Sequence, residues 1–173
     1  MPILRSFLPW FVFFILSGMD HAWIGAFAAV ICYILVFGKK VGHLKVLDSC
    51  SISFFLISGV LMLFWHPIWF IKHLDYLANG FLAMVILYTV LNKKPFTLEY
   101  ARETTPKESW SSPHFYKVNV ILSMVWFFYF ALSLPFIYLS DTVSPWFRVG
   151  QGLLAVLAVV ITELFPRWYT KKL

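Results

Sequence analysis

Long runs of apolar residues limit this chain more than any other feature. Six such segments recur along it: residues 7–17, 22–37, 51–70, 74–91, 118–139 and 146–165. Crossing the hydrocarbon of a bilayer takes about 20 apolar residues in a helix, within about 17 to 25. The last two segments meet that length, the fourth is adequate, and the third, whose unbroken apolar run is 51–65, reaches it if its helix runs on through Trp69 or Phe70. The runs are continuous, whereas strands of a membrane barrel alternate between lipid-facing and lumen-facing residues. The expected fold is therefore all-α, a polytopic transmembrane helical bundle with five to six membrane segments forming one integral membrane domain over residues 1–173. The first two segments are short, so the first either crosses tightly or enters shallowly and returns.

Composition excludes the soluble alternative. Of 173 residues, 61% are hydrophobic and only 13% charged, against about a quarter charged in ordinary soluble domains. The net charge of +6 does not indicate nucleic acid, because the basic residues sit in short connections between apolar runs rather than on one phosphate-binding surface. Cys32 lies inside one run and Cys50 starts another, without a paired spacing, so neither a disulfide nor a zinc site follows. Arg5 followed by residues 7–17 has the charge and length of a leader. Pro9, Trp10 and the phenylalanines around them, with no small-residue cleavage site after them, read as a retained segment.

Lysine and arginine set the orientation. With six crossings and the N-terminus in the cytoplasm, Arg5, Lys39, Lys40, Lys45, Lys93, Lys94, Arg102, Lys107, Lys117, Arg167, Lys171 and Lys172 all fall inside. That is twelve of the fourteen basic residues, with Lys72 and Arg148 outside. Basic loops stay in the cytoplasm during insertion, which places both termini in the cytoplasm. Making the first segment re-entrant moves only Arg5, so charge leaves five crossings open.

The one long loop, residues 92–117, is cytoplasmic in this topology. Residues 96–103 mix aromatic, apolar and charged positions as an interfacial helix does. Thr105-Pro106-Lys107-Glu108 has the pattern of a capping box. Glu99, Arg102, Glu103 and Trp110 make this loop the candidate interaction surface. On the outer rim, His66, Lys72, His73 and Asp75 lie within ten residues, and Asp20 and His21 face the same side. Such a group suits a metal, a lipid headgroup or an anionic substrate; it equally suits interface anchoring beside Trp65 and Trp69. The spans have no ionisable residue near their centres, which counts against ion-coupled transport. Their mild polar residues, among them Ser58, Asn79, Ser123, Ser133, Gln151 and Thr162, suit helix–helix hydrogen bonds, as does Asn119 at the start of the fifth segment. Gly25 with Ala29, and Gly150 with Gly152, suit close helix approach. No facing histidines for haem, phosphate loop, nucleophile elbow or metal-protease spacing occurs, so no cofactor, no metal and no catalytic residues are expected.

The order of landmarks resembles the intracellular septation protein A family of bacterial inner-membrane proteins. Leu8-Pro9 with Phe11-Val12-Phe13-Phe14 opens the likeness. It continues through His66, Phe70-Ile71-Lys72, Lys93-Lys94-Pro95, Trp110, Asn119, Trp126-Phe127-Phe128 and Trp146-Phe147-Arg148 with Gly150. Residues 95–103 depart from the family pattern, which points to a distant branch. The resemblance implies a non-enzymatic part in cell-envelope maintenance or septation through contacts with other membrane proteins or with itself. The competing expectation is a small-solute transporter or lipid-binding protein that uses the outer group.

Overall fold

A computed structural model describes residues 2–17, 22–38 and 44–170. Asp20, His21, Lys39, Lys40 and His43, which the sequence places in loops, lie outside the described residues, as do Lys171 and Lys172. The elements are α1 (Pro2–Leu16), α2 (Ala22–Phe37), α3 (Val46–Phe64), α4 (Ile68–Lys72), α5 (Leu74–Leu91), α6 (Phe96–Ala101), a 3₁₀ turn (Lys107–Ser109), α7 (Pro113–Thr142) and α8 (Trp146–Thr170). No strand occurs among the described residues. Four helices are long and apolar enough to cross a membrane: Val46–Phe64, Leu74–Leu91, Pro113–Thr142 and Trp146–Tyr169. The helices α1 and α2 are apolar but shorter. The chain forms two compact units, Met1–Leu74 and Asp75–Leu173.

Several boundaries differ from those read in the sequence. The third segment, expected over 51–70, starts earlier and stops earlier. α3 begins at Val46, taking Asp48 into its first turn, and closes at Phe64, where the Trp65 N–H bonds Leu61 O. Pro67 explains the break. It has no N–H to continue the ladder and disfavours helical backbone in the residue before it; that residue, His66, takes a φ of 43°. Residues 68–72 then form the separate short helix α4. The fifth segment grows at both ends to Pro113–Thr142, a length of about 45 Å at 1.5 Å per residue. Its start is fixed locally: Ser112 accepts from the His114 N–H, and Pro113 stands where a missing N–H costs nothing.

In the first unit α1 packs on α2 and α2 on α3. A ladder of contacts sets their directions. Ser6 of α1 meets Tyr33 near the end of α2, and Tyr33 meets Asp48 at the start of α3. One turn on, Trp10 bonds Ser51, and Phe13 packs on Phe55. At the other end, Gly25 of α2 lies against Phe13 and Ser17, while Gly59 of α3 lies against Ala26 and Phe27. So α1 and α3 run the same way and α2 runs back between their ends. Ala22, Gly25, Ala26 and Ala29 form the small-residue stripe on α2 that permits the approach.

In the second unit α7 packs on α8 and α6 on α7. Gly150 is the close point: a Cβ there would lie 2.5 Å from Phe136 Cε1, whereas one on Gly152 meets nothing within 4 Å. Of the two glycines the sequence paired, only Gly150 has a neighbour that requires it.

These positions give a direct test. At Gly25 a Cβ would fall 2.7 Å from Phe13 O and 2.9 Å from Ser17 N, backbone atoms that cannot swing aside. Gly25→Val should lower unfolding stability in detergent by about 1–3 kcal/mol. Gly152→Ala should leave it unchanged or raise it by a few tenths, since alanine favours helix and nothing obstructs it. Equal thermal midpoints for the two variants would contradict the packing described.

Candidate functional site

The long loop is a folded platform rather than a free segment. Its entry is a Schellman closure of α5: Lys93 N–H bonds Val90 O at 2.9 Å, Lys94 N–H bonds Thr89 O at 2.9 Å, and Lys93 takes a φ of 58°. Pro95 follows, and the Thr89 hydroxyl accepts the Phe96 N–H at 3.2 Å. α6 then docks on α7. The Thr97 hydroxyl donates to Asn119 O at 2.7 Å and lies 3.0 Å from Ser123 Oγ. Phe96, Thr97 and Tyr100 are all buried. A helix forms where the interfacial one is expected, and its apolar face is covered by protein. A hydroxyl pair in an apolar surrounding holds it, where each bond contributes about 1 kcal/mol.

Beyond α6 the chain presents its charged residues. Arg102 lies over the Trp110 ring, 5.2 Å from guanidinium carbon to centroid, a cation–π contact of about 0.5–1 kcal/mol at an exposed site. The Trp110 indole N–H donates to Thr105 O at 3.0 Å. Two of the four predicted loop residues are thus brought together. Glu99 is half-buried on α6 and Glu103 exposed just after it. The capping-box stretch forms the 3₁₀ turn Lys107–Ser109 with Pro106 as its cap and no side-chain cap bond; Thr105 contributes its carbonyl, to Trp110, instead.

A second cluster lies where α5 starts, α7 ends and α8 starts. Arg148 donates to Asp75 Oδ2 at 2.6 Å, to Asp141 Oδ1 at 3.4 Å and, through Nε, to Ser140 Oγ at 3.2 Å. The Tyr76 hydroxyl donates to Asp141 Oδ2 at 3.2 Å. These groups are roughly half exposed, so each pair alone contributes about 0.2–1 kcal/mol, and the value lies in the network joining three helices. Of the predicted outer group, Asp75 belongs here, in the second unit. His66, Lys72 and His73 belong to the first unit: His66 and Lys72 are exposed, and His73 stacks on Trp69 at 4.7 Å with its ring nitrogen 2.8 Å from Trp69 O. Among the described residues no group of three or more His, Cys, Asp or Glu could hold a metal ion.

Polar residues expected to bridge helices divide into two kinds. Asn79 donates to Asp75 O, Ser133 to Tyr129 O and Asn119 Nδ2 to Phe115 O, all within their own helices. Gln151 is half-buried on α8. The Asn119 backbone, not its amide, receives the bond from α6, and Asn119 Oδ1 is buried without a hydrogen-bond partner. The bonds that do cross between helices come largely from aromatic donors. Trp10 Nε1 donates to Ser51 Oγ at 3.0 Å, Trp126 Nε1 to Thr162 Oγ1 at 3.0 Å, and Tyr33 to Ser6 O at 2.9 Å and Asp48 Oδ1 at 3.4 Å. Asp48, 2% exposed, is a residue that sequence reasoning misses, because it stands ahead of the apolar run that starts at 51. Buried tryptophan and tyrosine usually need a partner for the N–H or O–H, and that signal was available. Comparison with family models, with curated proteins and with solved structures finds no match to this chain.

Two outcomes follow from this geometry. Thr97→Val removes the hydroxyl that fixes α6 and should speed limited proteolysis within 96–110 several-fold in detergent. Thr104→Val, at an exposed hydroxyl bonded only to Ala101 O, should not. A double-mutant cycle of Trp126→Phe and Thr162→Val should return a coupling of about 0.6–1.7 kcal/mol; independent effects would rule out the interhelical bond.

Proposed function

We propose that this chain is a non-enzymatic protein of the bacterial inner membrane that serves cell-envelope maintenance or septation through contacts with other membrane proteins, made by the loop platform. The observation that carries the reading is the docking of α6 on α7 through Thr97, Asn119 and Ser123, which holds Arg102 over Trp110. Ordering a loop before a partner arrives lowers the entropy lost on binding. Arginine and tryptophan are also the residue types most often central to protein interfaces. The likeness to the septation protein A family supports the same role.

The accompanying topology has six crossings with both termini cytoplasmic. The direction of α1 supports it: from Ser6 to Phe13 this helix advances alongside Asp48 to Phe55 of α3, as a crossing helix would and a returning one would not. Twelve of the fourteen basic residues then fall on the cytoplasmic side. A second reading, a lipid-binding or small-solute transport role, draws on the Asp75–Arg148–Asp141 network, which offers both charges to a zwitterionic headgroup.

The readings separate experimentally. A photo-crosslinker at Trp110 should give a discrete adduct with an envelope protein in cells, reduced about ten-fold by Arg102→Ala, and deletion should produce an envelope or septation defect. A monomer without adducts, from cells that divide normally, would remove the first reading. Alanine at Asp75, Asp141 and Arg148 together should leave the adduct intact; if it abolished uptake or lipid binding in a folded protein, the second reading would replace the first.

A further inference from the structure

The first unit has a dimension that its surroundings must match. α1 is 15 residues long and α2 is 16, giving about 22 Å and 24 Å at 1.5 Å per residue. The sequence caps both lengths. Arg5 and Asp20 bound the apolar stretch of α1 in sequence, and His21 and Lys39 that of α2, so neither stretch can exceed about 21–26 Å. Hydrocarbon in a typical bilayer is about 30 Å thick. Tilting would worsen the shortfall.

Apolar side chains nevertheless reach the ends of both helices and face outward. Ile15 is 79% exposed at the last turn of α1 and Leu35 is 80% exposed at the last turn of α2. The helices cannot slide past one another to share the deficit. Gly25 holds them in close contact near Ser17, and the Tyr33 hydroxyl joins Ser6 O at the opposite end. A span this short is accommodated by thinning of the bilayer around it, by association with other spans or by reaching of its flanking polar residues. Arg5 and Lys39 have that reach on one side, whereas Asp20 and His21 on the other have little, which favours thinning there.

We infer that the α1–α2 face of the first unit binds a thinned annulus of lipid and selects phospholipids with short acyl chains. The inference rests on the six-crossing reading, in which α1 and α2 both span. The contrast lies within the same chain, since α7 and α8 have 30 and 25 residues and impose no such shortening.

The test uses the full-length protein with Cys32→Ala and Cys50→Ala, carrying bimane at Leu35→Cys or, on α8, at Leu153→Cys, both outward-facing positions. It is reconstituted in equimolar dimyristoleoyl and dierucoyl phosphatidylcholine, with one or the other lipid brominated. At Leu35→Cys the short lipid should quench about two-fold more than the long one; at Leu153→Cys it should not. Extending α2 by His21→Leu with Lys39→Leu should abolish the bias. Equal quenching by the two lipids at Leu35→Cys, or a bias unchanged by the extension, overturns the inference. Impermeant maleimide labelling in cells of Pro2→Cys against Gly18→Cys, for α1, and of Gly18→Cys against Gly38→Cys, for α2, separates the two failures. Opposite faces without a short-lipid bias sinks the thinning alone, whereas labelling on one face removes the crossing reading and the inference with it.

Discussion

Where acyl chains replace water, a polar atom inside a helix bundle has only other protein atoms to bond to, and an unmet group costs about 1–3 kcal/mol. That constraint organises the interior of both units. The backbone meets it by being helical almost throughout, and the turns close with their own bonds, as at Lys93 and Lys94 after α5. Side chains meet it in two ways. Serine, threonine and asparagine return a bond to the carbonyl three or four residues earlier, as Ser133, Thr162 and Asn79 do. Tryptophan and tyrosine are too long for that and reach the neighbouring helix, so the aromatic residues, not the amides, hold the helices in register.

This division explains what could be read before the fold was known. The apolar runs expressed the lipid constraint directly, and segments 22–37 and 74–91 agree with α2 and α5. Ends were harder to read. α7 continues past its apolar run to Pro113 and Thr142 because helix hydrogen bonding does not stop where the hydrocarbon stops. The third segment ended early because Pro67 outranks the apolar residues after it. Asp48 was missed for a related reason: a charged residue ahead of an apolar run looks like loop. Here Tyr33 and the first turn of α3 enclose it.

At the candidate site, the loop residues were legible as a group but their geometry was not. The mixture of aromatic and charged residues over 96–103 marks a two-faced helix, and α6 is one. What covers its apolar face depends on Thr97 meeting Asn119 and Ser123 more than twenty residues away, a contact that no local pattern encodes. The outer group reads differently for the same reason. Nearness in sequence suggested that His66, Lys72, His73 and Asp75 belong together. Asp75 instead pairs with Arg148, 73 residues on, since charge pairs form between helix ends at one level.

Two consequences meet at the loop. Its anchor is a pair of buried uncharged hydroxyls, Thr97 of α6 on Ser123 of α7, insensitive to salt, while its displayed surface is charged and aromatic, with Arg102 and Trp110 in contact. Anchoring and recognition therefore rest on different residues with different physics. A substitution such as Thr97→Val acts on the order of the loop, and one such as Arg102→Ala acts on what the loop can bind. Because the anchor lies in the protein interior, the platform stays formed across conditions that screen its surface charges. Contacts made there would weaken with ionic strength even as the fold beneath them held.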